Sequence, residues 1–137
     1  MKILLVDDDP EFLDAAERYL EREDDRIEVD TASSPEAGLN LLDEEGYDAI
    51  VSDYKMSKMD GLEFLETIRK EKGDEITFVI FTGKGCEEVA MEALNLGADR
   101  YVMKGGDIRL QFEDLADALF NEVHSNSENL EGPSEKN

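Results

Sequence analysis

The sequence has few basic residues and no long apolar run. Lys and Arg number 14 against 36 Asp and Glu, so the formal net charge of the 137 residues is −22. Nucleic acids and anionic lipid surfaces are recognised by basic patches, which this composition does not favour. No run approaches the roughly 20 apolar residues that span a bilayer. We therefore expect no direct nucleic-acid partner and no membrane association.

Cysteine is nearly absent as well. Cys86 is the single cysteine, which excludes an intrachain disulfide and a cysteine-based metal cluster. The apolar N-terminal stretch ends at Asp7, too early for a signal peptide, and is typical of a strand. We therefore expect a cytoplasmic protein. The acidic surface fits either solubility alone or adaptation to a salty interior, where salt screens the repulsion between carboxylates.

The residues that are present predict one α/β domain. Hydrophobic residues make up 40% of the chain, enough for a single core. Strand-like and helix-like runs alternate over residues 1–124, and Asp9-Pro10 and Ser34-Pro35 are typical helix starts. This alternation predicts a doubly wound, flavodoxin-like parallel sheet of five strands in the order 2-1-3-4-5, with helices on both faces. Residues 125–137 are polar and turn-rich, which predicts a disordered tail or linker. Strands are expected near residues 2–6, 27–32, 47–52, 76–81 and 101–103.

Chemically active side chains follow four of the predicted strands. Asp7 and Asp8 follow the first strand, and Asp53 follows the third. Thr82 follows the fourth strand and Lys104 follows the fifth. In open parallel sheets ligands bind beyond the carboxyl ends of the strands, so these side chains are expected to meet at one edge.

Such a cluster suits phosphoryl transfer. Three neighbouring carboxylates repel one another and need a compensating cation. Oxygen ligands with a vacant face suit Mg²⁺, which accepts phosphate as a further ligand. A carboxylate beside the metal can act as the nucleophile and form an aspartyl phosphate, while a lysine and a hydroxyl bind phosphoryl oxygens.

At these residues the chain resembles the receiver domain of response regulators in two-component signalling. The resemblance covers about residues 1–124 and depends on four segments taken together. Each segment alone is a weak signal, but all four occur in order and at strand ends. They are Val6-Asp7-Asp8, the stretch from Asp53 to Gly61, Thr82-Gly83, and Tyr101-Val102-Met103-Lys104. The glycine-containing stretches at 81–85 and 104–107 look like archaeal receivers in particular.

The resemblance implies a role for each matching residue. Asp53 matches the phosphoacceptor and is also a metal ligand. Asp8 matches the direct Mg²⁺ ligand, and Asp7 the acid that helps to hold the metal, often through water. The backbone carbonyl of Lys55 matches the remaining protein ligand.

The other matching residues act on the phosphoryl group or respond to it. Lys104 matches the lysine that binds a phosphoryl oxygen. Thr82 and Tyr101 match the switch pair, in which the hydroxyl turns toward the phosphoryl group and the aromatic ring moves inward. The resemblance implies a histidine kinase as phosphodonor, and a downstream protein or further domains of the same chain as target. It also implies that a phosphorylation-linked homodimer is an option, and that the chain catalyses only its own phosphorylation and dephosphorylation.

Two positions depart from the usual pattern. Ser57 stands where proline commonly follows the methionine, and we expect it to loosen the loop without touching the chemistry. Gly105 stands where proline commonly follows the lysine, usually across a cis bond, which is costly for other residues. The two glycines at 105 and 106 can reach a similar path through their backbone freedom.

Three other functions remain open at this point. A Mg²⁺-dependent phosphohydrolase would also use an aspartyl phosphate, but such enzymes need a second carboxylate after the nucleophile and a cap. Tyr54 and Lys55 follow Asp53, and no segment is long enough for a cap. A flavodoxin-like cofactor binder would need a phosphate loop after the first strand, where Asp7 to Asp9 would repel a phosphate. The third is a receiver that serves as an unphosphorylated scaffold.

Overall fold

The computed structural model describes residues 1–83 and 87–130, so Cys86 and part of the 81–85 stretch lie outside the described residues. Strands and helices alternate along the chain, as predicted. The strands are β1 (Lys2–Val6), β2 (Glu28–Ala32), β3 (Ala49–Ser52), β4 (Thr77–Thr82) and β5 (Arg100–Met103). The helices are α1 (Pro10–Glu23), α2 (Pro35–Glu44), α3 (Gly61–Lys72), α4 (Glu87–Asn95) and α5 (Ile108–Leu130). Among these helices none has the length and apolar character needed to cross a membrane.

The sheet confirms the predicted topology. Its five parallel strands lie in the order β2-β1-β3-β4-β5. Val6 at the end of β1 is in register with Ala32 on one side and Ser52 on the other. Thr82 at the end of β4 is in register with Met103 at the end of β5. Residues 7, 53, 83 and 104 therefore leave the sheet at the same edge.

Local capping chemistry sets where three of the helices begin. Asp9 caps α1 by accepting hydrogen bonds from the backbone of Glu11 and Phe12, and Pro10 occupies the first turn. Ser34 caps α2 in the same way, and Asp60 forms a capping box with the third residue of α3. The predicted starts of α1 and α2 are confirmed.

Both faces of the sheet are covered by helices. Side chains that alternate along the central strands enter two separate clusters, as expected for a parallel sheet buried on both sides. Ile3 and Leu5 pack toward α1 and α5, whereas Leu4 and Val6 pack toward α2, α3 and α4. The first cluster contains the aromatic rings of Phe81 and Phe112, and the second those of Phe64 and Phe78.

One arginine holds the edge of the sheet opposite the predicted site. The guanidinium of Arg69 in α3 donates to the carbonyls of Gly97, Gly73 and Ile76 at 2.7–3.1 Å. It also pairs with Asp99 at 3.2 Å, and Asp99 accepts a hydrogen bond from the backbone of Phe78. Arg69 thus joins the C-terminal ends of α3 and α4 to the start of β4 and to the turn before β5.

The last helix is longer than expected. α5 continues to Leu130, six residues past the boundary expected at residue 124, and the tail or linker stays a prediction. The side-chain amide of Asn126 donates to Thr77 Oγ1 at 2.7 Å, which ties this part of α5 to the start of β4. A contact across 49 residues is not visible in local composition. The rest of the predicted tail, residues 131–137, lies outside the described residues, and the domain boundary at 124 stays a prediction.

The backbone after Lys104 takes a glycine-specific path. Among the described residues no peptide bond is cis, and Gly105 and Gly106 adopt φ values of 147° and 72°. The amide of Gly105 donates to the side chain of Gln111 at 2.8 Å. Proline has no such proton and fixes φ near −65°, so it could not replace Gly105 in this conformation.

Candidate functional site

Three carboxylates converge at the carboxyl edge of the sheet. Asp7, Asp8 and Asp53 each offer an oxygen atom, and these atoms lie within 4.8 Å of one another. β1 lies beside β3, which brings the residues after the two strands together. The predicted cluster is therefore present. It lines an open cleft of about 450 Å³ whose described lining residues are Asp7, Asp8, Asp9, Phe12, Asp53, Lys55, Gly83 and Lys104.

Asp7 is the buried member of the cluster. It is 2% exposed, and its two carboxylate oxygens have different partners. Oδ2 accepts a hydrogen bond from Lys104 Nζ at 3.0 Å, and Oδ1 accepts one from the amide of Asp9 at 2.9 Å. Burial raises the pKa of Asp7 above its ordinary value, although the hydrogen bond from Lys104 acts in the opposite direction. The charged form of Asp7 is therefore costly in the absence of a further cation.

Asp8 is exposed and is oriented by the loop that follows β3. Its Oδ2 accepts hydrogen bonds from the amide of Ser57 at 3.2 Å and from the Ser57 hydroxyl at 3.3 Å. Ser57 thus contacts a predicted metal ligand, which the sequence did not indicate; whether Ser57 affects the chemistry stays a prediction. A proline at this position would offer neither donor. The contact spans 49 residues and was invisible to sequence reasoning.

Asp53 lies directly after β3 and is held through its backbone. Its amide donates to the carbonyl of Val6 at 3.0 Å, and its Oδ1 accepts from the amide of Tyr54 at 2.7 Å. The start of α3 packs against the same segment, since a Cβ added at Gly61 would lie 2.3 Å from the Asp53 carbonyl oxygen. Gly61 also donates to the Tyr54 carbonyl at 2.7 Å. The missing side chain at position 61 thus allows α3 to support Asp53.

Lys104 contributes a positive charge to the site. Its amide donates to the carbonyl of Thr82 at 3.0 Å, which extends the pairing of β4 and β5 by one residue. Its Nζ lies 3.8 Å from Asp53 Oδ2, in addition to the closer contact with Asp7. The ammonium also lies over the ring of Phe12, 3.8 Å from the centroid. Phe12 is not among the predicted site residues, because its position in the sequence gives no indication of this contact.

The other predicted residues lie where their strands place them. Thr82 is fully buried at the end of β4. Tyr101 pairs with Ile80 across β4 and β5, and its half-buried ring packs against the cluster under α2 to α4. The side chain of Lys55 is exposed beside the cleft. The roles of these three residues stay predictions.

The donor set of the cluster fits a hard divalent cation. All three side chains offer carboxylate oxygens, which Mg²⁺ prefers, and the open cleft leaves room for water and phosphate ligands. Lys104 forms ion pairs with Asp7 and Asp53, and its single positive charge is smaller than the negative charge that the three carboxylates carry when ionised. Asp7, Asp8 and Asp53 are therefore the residues that could hold such an ion.

Sequence comparison assigns the class of protein that this fold and site define. Residues 3–116 match the family described as response regulator receiver domain. The nisin biosynthesis regulatory protein NisR of Lactococcus lactis is 37% identical over 103 residues, covering 75% of this chain and 43% of that protein. The nitrate/nitrite response regulator protein NarL of Escherichia coli K12 is 35% identical over 117 residues, covering 85% of this chain and 52% of that protein. The chain thus spans about half the length of these curated relatives.

Solved structures agree with this class. A response regulator receiver domain protein from Clostridium thermocellum superposes with a TM-score of 0.81 at 31% identity, covering 92% of this chain and 96% of that one. A CheY-like receiver domain protein from Methanospirillum hungatei gives a TM-score of 0.76 at 31% identity, covering 90% and 97%. This chain belongs to the response regulator receiver domain family. Receivers of this family are signalling modules of two-component systems, bind Mg²⁺ at an acidic pocket, and act with histidine kinases and downstream effectors.

Proposed function

We propose that this chain is a phosphorylation-switched receiver in which Asp53 accepts a phosphoryl group from the phosphohistidine of a histidine kinase. The observation that carries the proposal is the convergence of Asp7, Asp8 and Asp53 within 4.8 Å, with the Lys104 ammonium 3.8 Å from Asp53. No other arrangement among the described residues places a nucleophilic carboxylate beside both acidic ligands and a cation. In this proposal the chain functions as a signalling switch and does not turn over a substrate.

The transfer step uses a carboxylate oxygen of Asp53 as the nucleophile. That oxygen forms a bond to phosphorus while the bond from phosphorus to the histidine nitrogen breaks, and the nitrogen keeps the electron pair. The product is an acyl phosphate on Asp53 and a neutral imidazole on the kinase. Asp53 Oδ1 is already engaged by the Tyr54 amide, so we assign the attack to Oδ2, which faces Lys104.

The surrounding residues bind and orient the phosphoryl group. Lys104 offers a point charge to one phosphoryl oxygen, and Thr82 offers its hydroxyl to another. Asp7, Asp8 and the backbone carbonyl of Lys55 would hold Mg²⁺ with Asp53. When bound, the ion neutralises charge on the phosphoryl oxygens and on the carboxylates.

Signalling then depends on a two-state equilibrium of the receiver. Binding of Thr82 to the phosphoryl group favours the state in which Tyr101 moves inward, and the free energy of that contact shifts the population. The output goes to a protein, either a separate target or further domains of the same chain. We place the protein in the cytoplasm, where a kinase of this class presents its phosphohistidine.

Intact mass after incubation with acetyl phosphate tests the proposal. We expect a single phosphoryl adduct on the wild type with Mg²⁺, and none when Mg²⁺ is removed by a chelator. Asp53→Asn removes the nucleophile and abolishes the adduct. Asp60→Asn is the matched control: it removes the same charge from the same loop, and asparagine still caps α3. An adduct that persists in Asp53→Asn, or that needs no Mg²⁺, would overturn the assignment.

A further inference from the structure

We propose that Phe12 is a positioning residue for Lys104, and that its ring face fixes the ammonium beside Asp53 for phosphoryl transfer. The inference rests on the proposed function, in which Lys104 binds the phosphoryl group, and it assigns a supporting role to a residue of α1. Lys104 Nζ lies 3.8 Å from the centroid of the Phe12 ring and 5.7 Å from that of Phe81. A cation over the face of an aromatic ring within about 6 Å is attracted by the ring quadrupole.

The ring of Phe12 is itself firmly supported. Its centroid lies 6.2 Å from that of Phe81 and 6.1 Å from that of Phe112, and both of these residues are buried. Phe12 is only half-buried, and it lines the cleft beside Asp7 and Asp53. The core therefore fixes the ring from behind while its face is directed toward the ammonium.

The lysine needs this support because its side chain is flexible. Four carbon atoms carry the ammonium, and holding such a chain in one conformation costs rotamer entropy. The side chain is 21% exposed, so burial alone does not fix its conformation. Asp7 attracts it from one side at 3.0 Å, and the ring limits it on another. Together they confine the charge to a position from which a phosphoryl oxygen on Asp53 is within reach.

A leucine at position 12 separates this role from simple packing. Phe12→Leu keeps an apolar residue against Phe81 and Phe112 but removes the ring face. Tyr19→Leu is the matched control, because Tyr19 lies on the same helix, is also half-buried, and stacks on Phe112 with ring centroids 5.3 Å apart. Phe12→Tyr keeps the ring face and is the conservative variant.

The first measurement is the chemical shift of the Lys104 ε-methylene protons in the unphosphorylated protein. A methylene group near a ring face is shifted upfield by the ring current. We expect the upfield shift in the wild type, in Phe12→Tyr and in Tyr19→Leu, and its loss in Phe12→Leu. Absence of the shift in the wild type would overturn the positioning of Lys104 by Phe12, whatever the phosphorylation result.

The second measurement is the initial rate of adduct formation with acetyl phosphate at saturating Mg²⁺. We expect Phe12→Leu to be slower by about two- to thirtyfold, the range that one cation–π contact spans, and Phe12→Tyr and Tyr19→Leu to stay near the wild-type rate. An unchanged rate in Phe12→Leu, or an equal loss in Tyr19→Leu, would overturn the proposal. Retained ring-current shifts with no adduct in the wild type would instead refute the proposed function and leave the contact standing.

Discussion

The ammonium of Lys104 is closer to the buried Asp7, at 3.0 Å, than to the predicted phosphoacceptor, at 3.8 Å. When no divalent ion is bound, the Lys104 ammonium is therefore paired mainly with Asp7. Burial makes the charged form of Asp7 costly, and the partial neutralisation by Lys104 does not remove that cost. A cation held by the carboxylates would neutralise Asp7 in place of Lys104. The Lys104 ammonium could then pair with Asp53.

Removing the charge of Asp7 is expected to stabilise the protein in the absence of divalent ions. The pKa of Asp7 is raised above 3.8, so the folded state binds its proton more tightly than the unfolded state does. The free energy of unfolding therefore falls as pH rises through the interval between 3.8 and the raised value. Asp7→Asn has no titrating carboxyl group at position 7, so this decrease in the free energy of unfolding does not occur in the variant. Urea unfolding of both proteins with chelator, at pH 3.5 and at pH 7, measures the difference.

The gain from Asp7→Asn should be present at pH 7 and nearly absent at pH 3.5. Asp7→Asn should also weaken Mg²⁺ binding, which calorimetric titration measures. A variant that is less stable than the wild type at pH 7 would mean that the bond from Lys104 outweighs the cost of burial, contrary to our interpretation.

Adding a methyl group at Gly61 is expected to displace the backbone of Asp53, the predicted phosphoacceptor. The new Cβ would lie 2.3 Å from the Asp53 carbonyl oxygen, so α3 or the Asp53 backbone must shift. Such overpacking costs about 1–3 kcal/mol. We expect Gly61→Ala to lower the free energy of unfolding by that amount and to slow adduct formation. Gly46→Ala is the control, because a Cβ there meets nothing within 4 Å.

Arg69 is expected to matter far more for stability than other arginines. Its side chain is 10% exposed and donates to the carbonyls of Gly73 and Ile76, between α3 and β4, and of Gly97, after α4. Arg69→Met removes these bonds and leaves Asp99 without its ion-pair partner, which we expect to cost about 3–5 kcal/mol. Arg18→Met is the comparison, because Arg18 pairs with Asp14 one helical turn away at the exposed surface, and such exposed pairs contribute little to stability. Equal losses in chemical denaturation would contradict the role of Arg69 as the link between α3, α4 and β4.

Salt is expected to stabilise the fold. A net charge of −22 on 137 residues makes the folded chain repel itself, and salt screens that repulsion over about 10 Å at 0.1 M. We expect the thermal midpoint to rise as KCl increases from 0.02 M to 1 M. A chain that is folded only at molar salt would favour adaptation to a salty interior, whereas a folded chain at 0.02 M would favour solubility alone.

Local signals account for what the sequence predicted correctly. The apolar runs placed the strands, and Asp9-Pro10 and Ser34-Pro35 placed two helix starts, because a cap acts within three residues. The convergence of the acidic residues could be predicted because the topology alone brings the ends of β1 and β3 together. The alternation of strands and helices was therefore sufficient to predict where the candidate site lies.

The contacts that complete the site and the fold are long-range and left no local pattern. The bond from Ser57 to Asp8 and the ring of Phe12 under Lys104 depend on where a loop and a helix meet the sheet. In the extension of α5, the side-chain amide of Asn126 donates to Thr77 at the start of β4. The polar composition of residues 125–130 carries no information about this partner.

The amide of Lys104 is bonded to Thr82 within the sheet, while the residue that follows turns away toward Gln111. The backbone of Lys104 is thus held by the sheet, through a contact that does not involve the loop after position 104. A search pattern that demands proline after the lysine would discard this chain although the reactive group is in place. The same separation would let the surface at the start of α5 vary without moving the ammonium of Lys104.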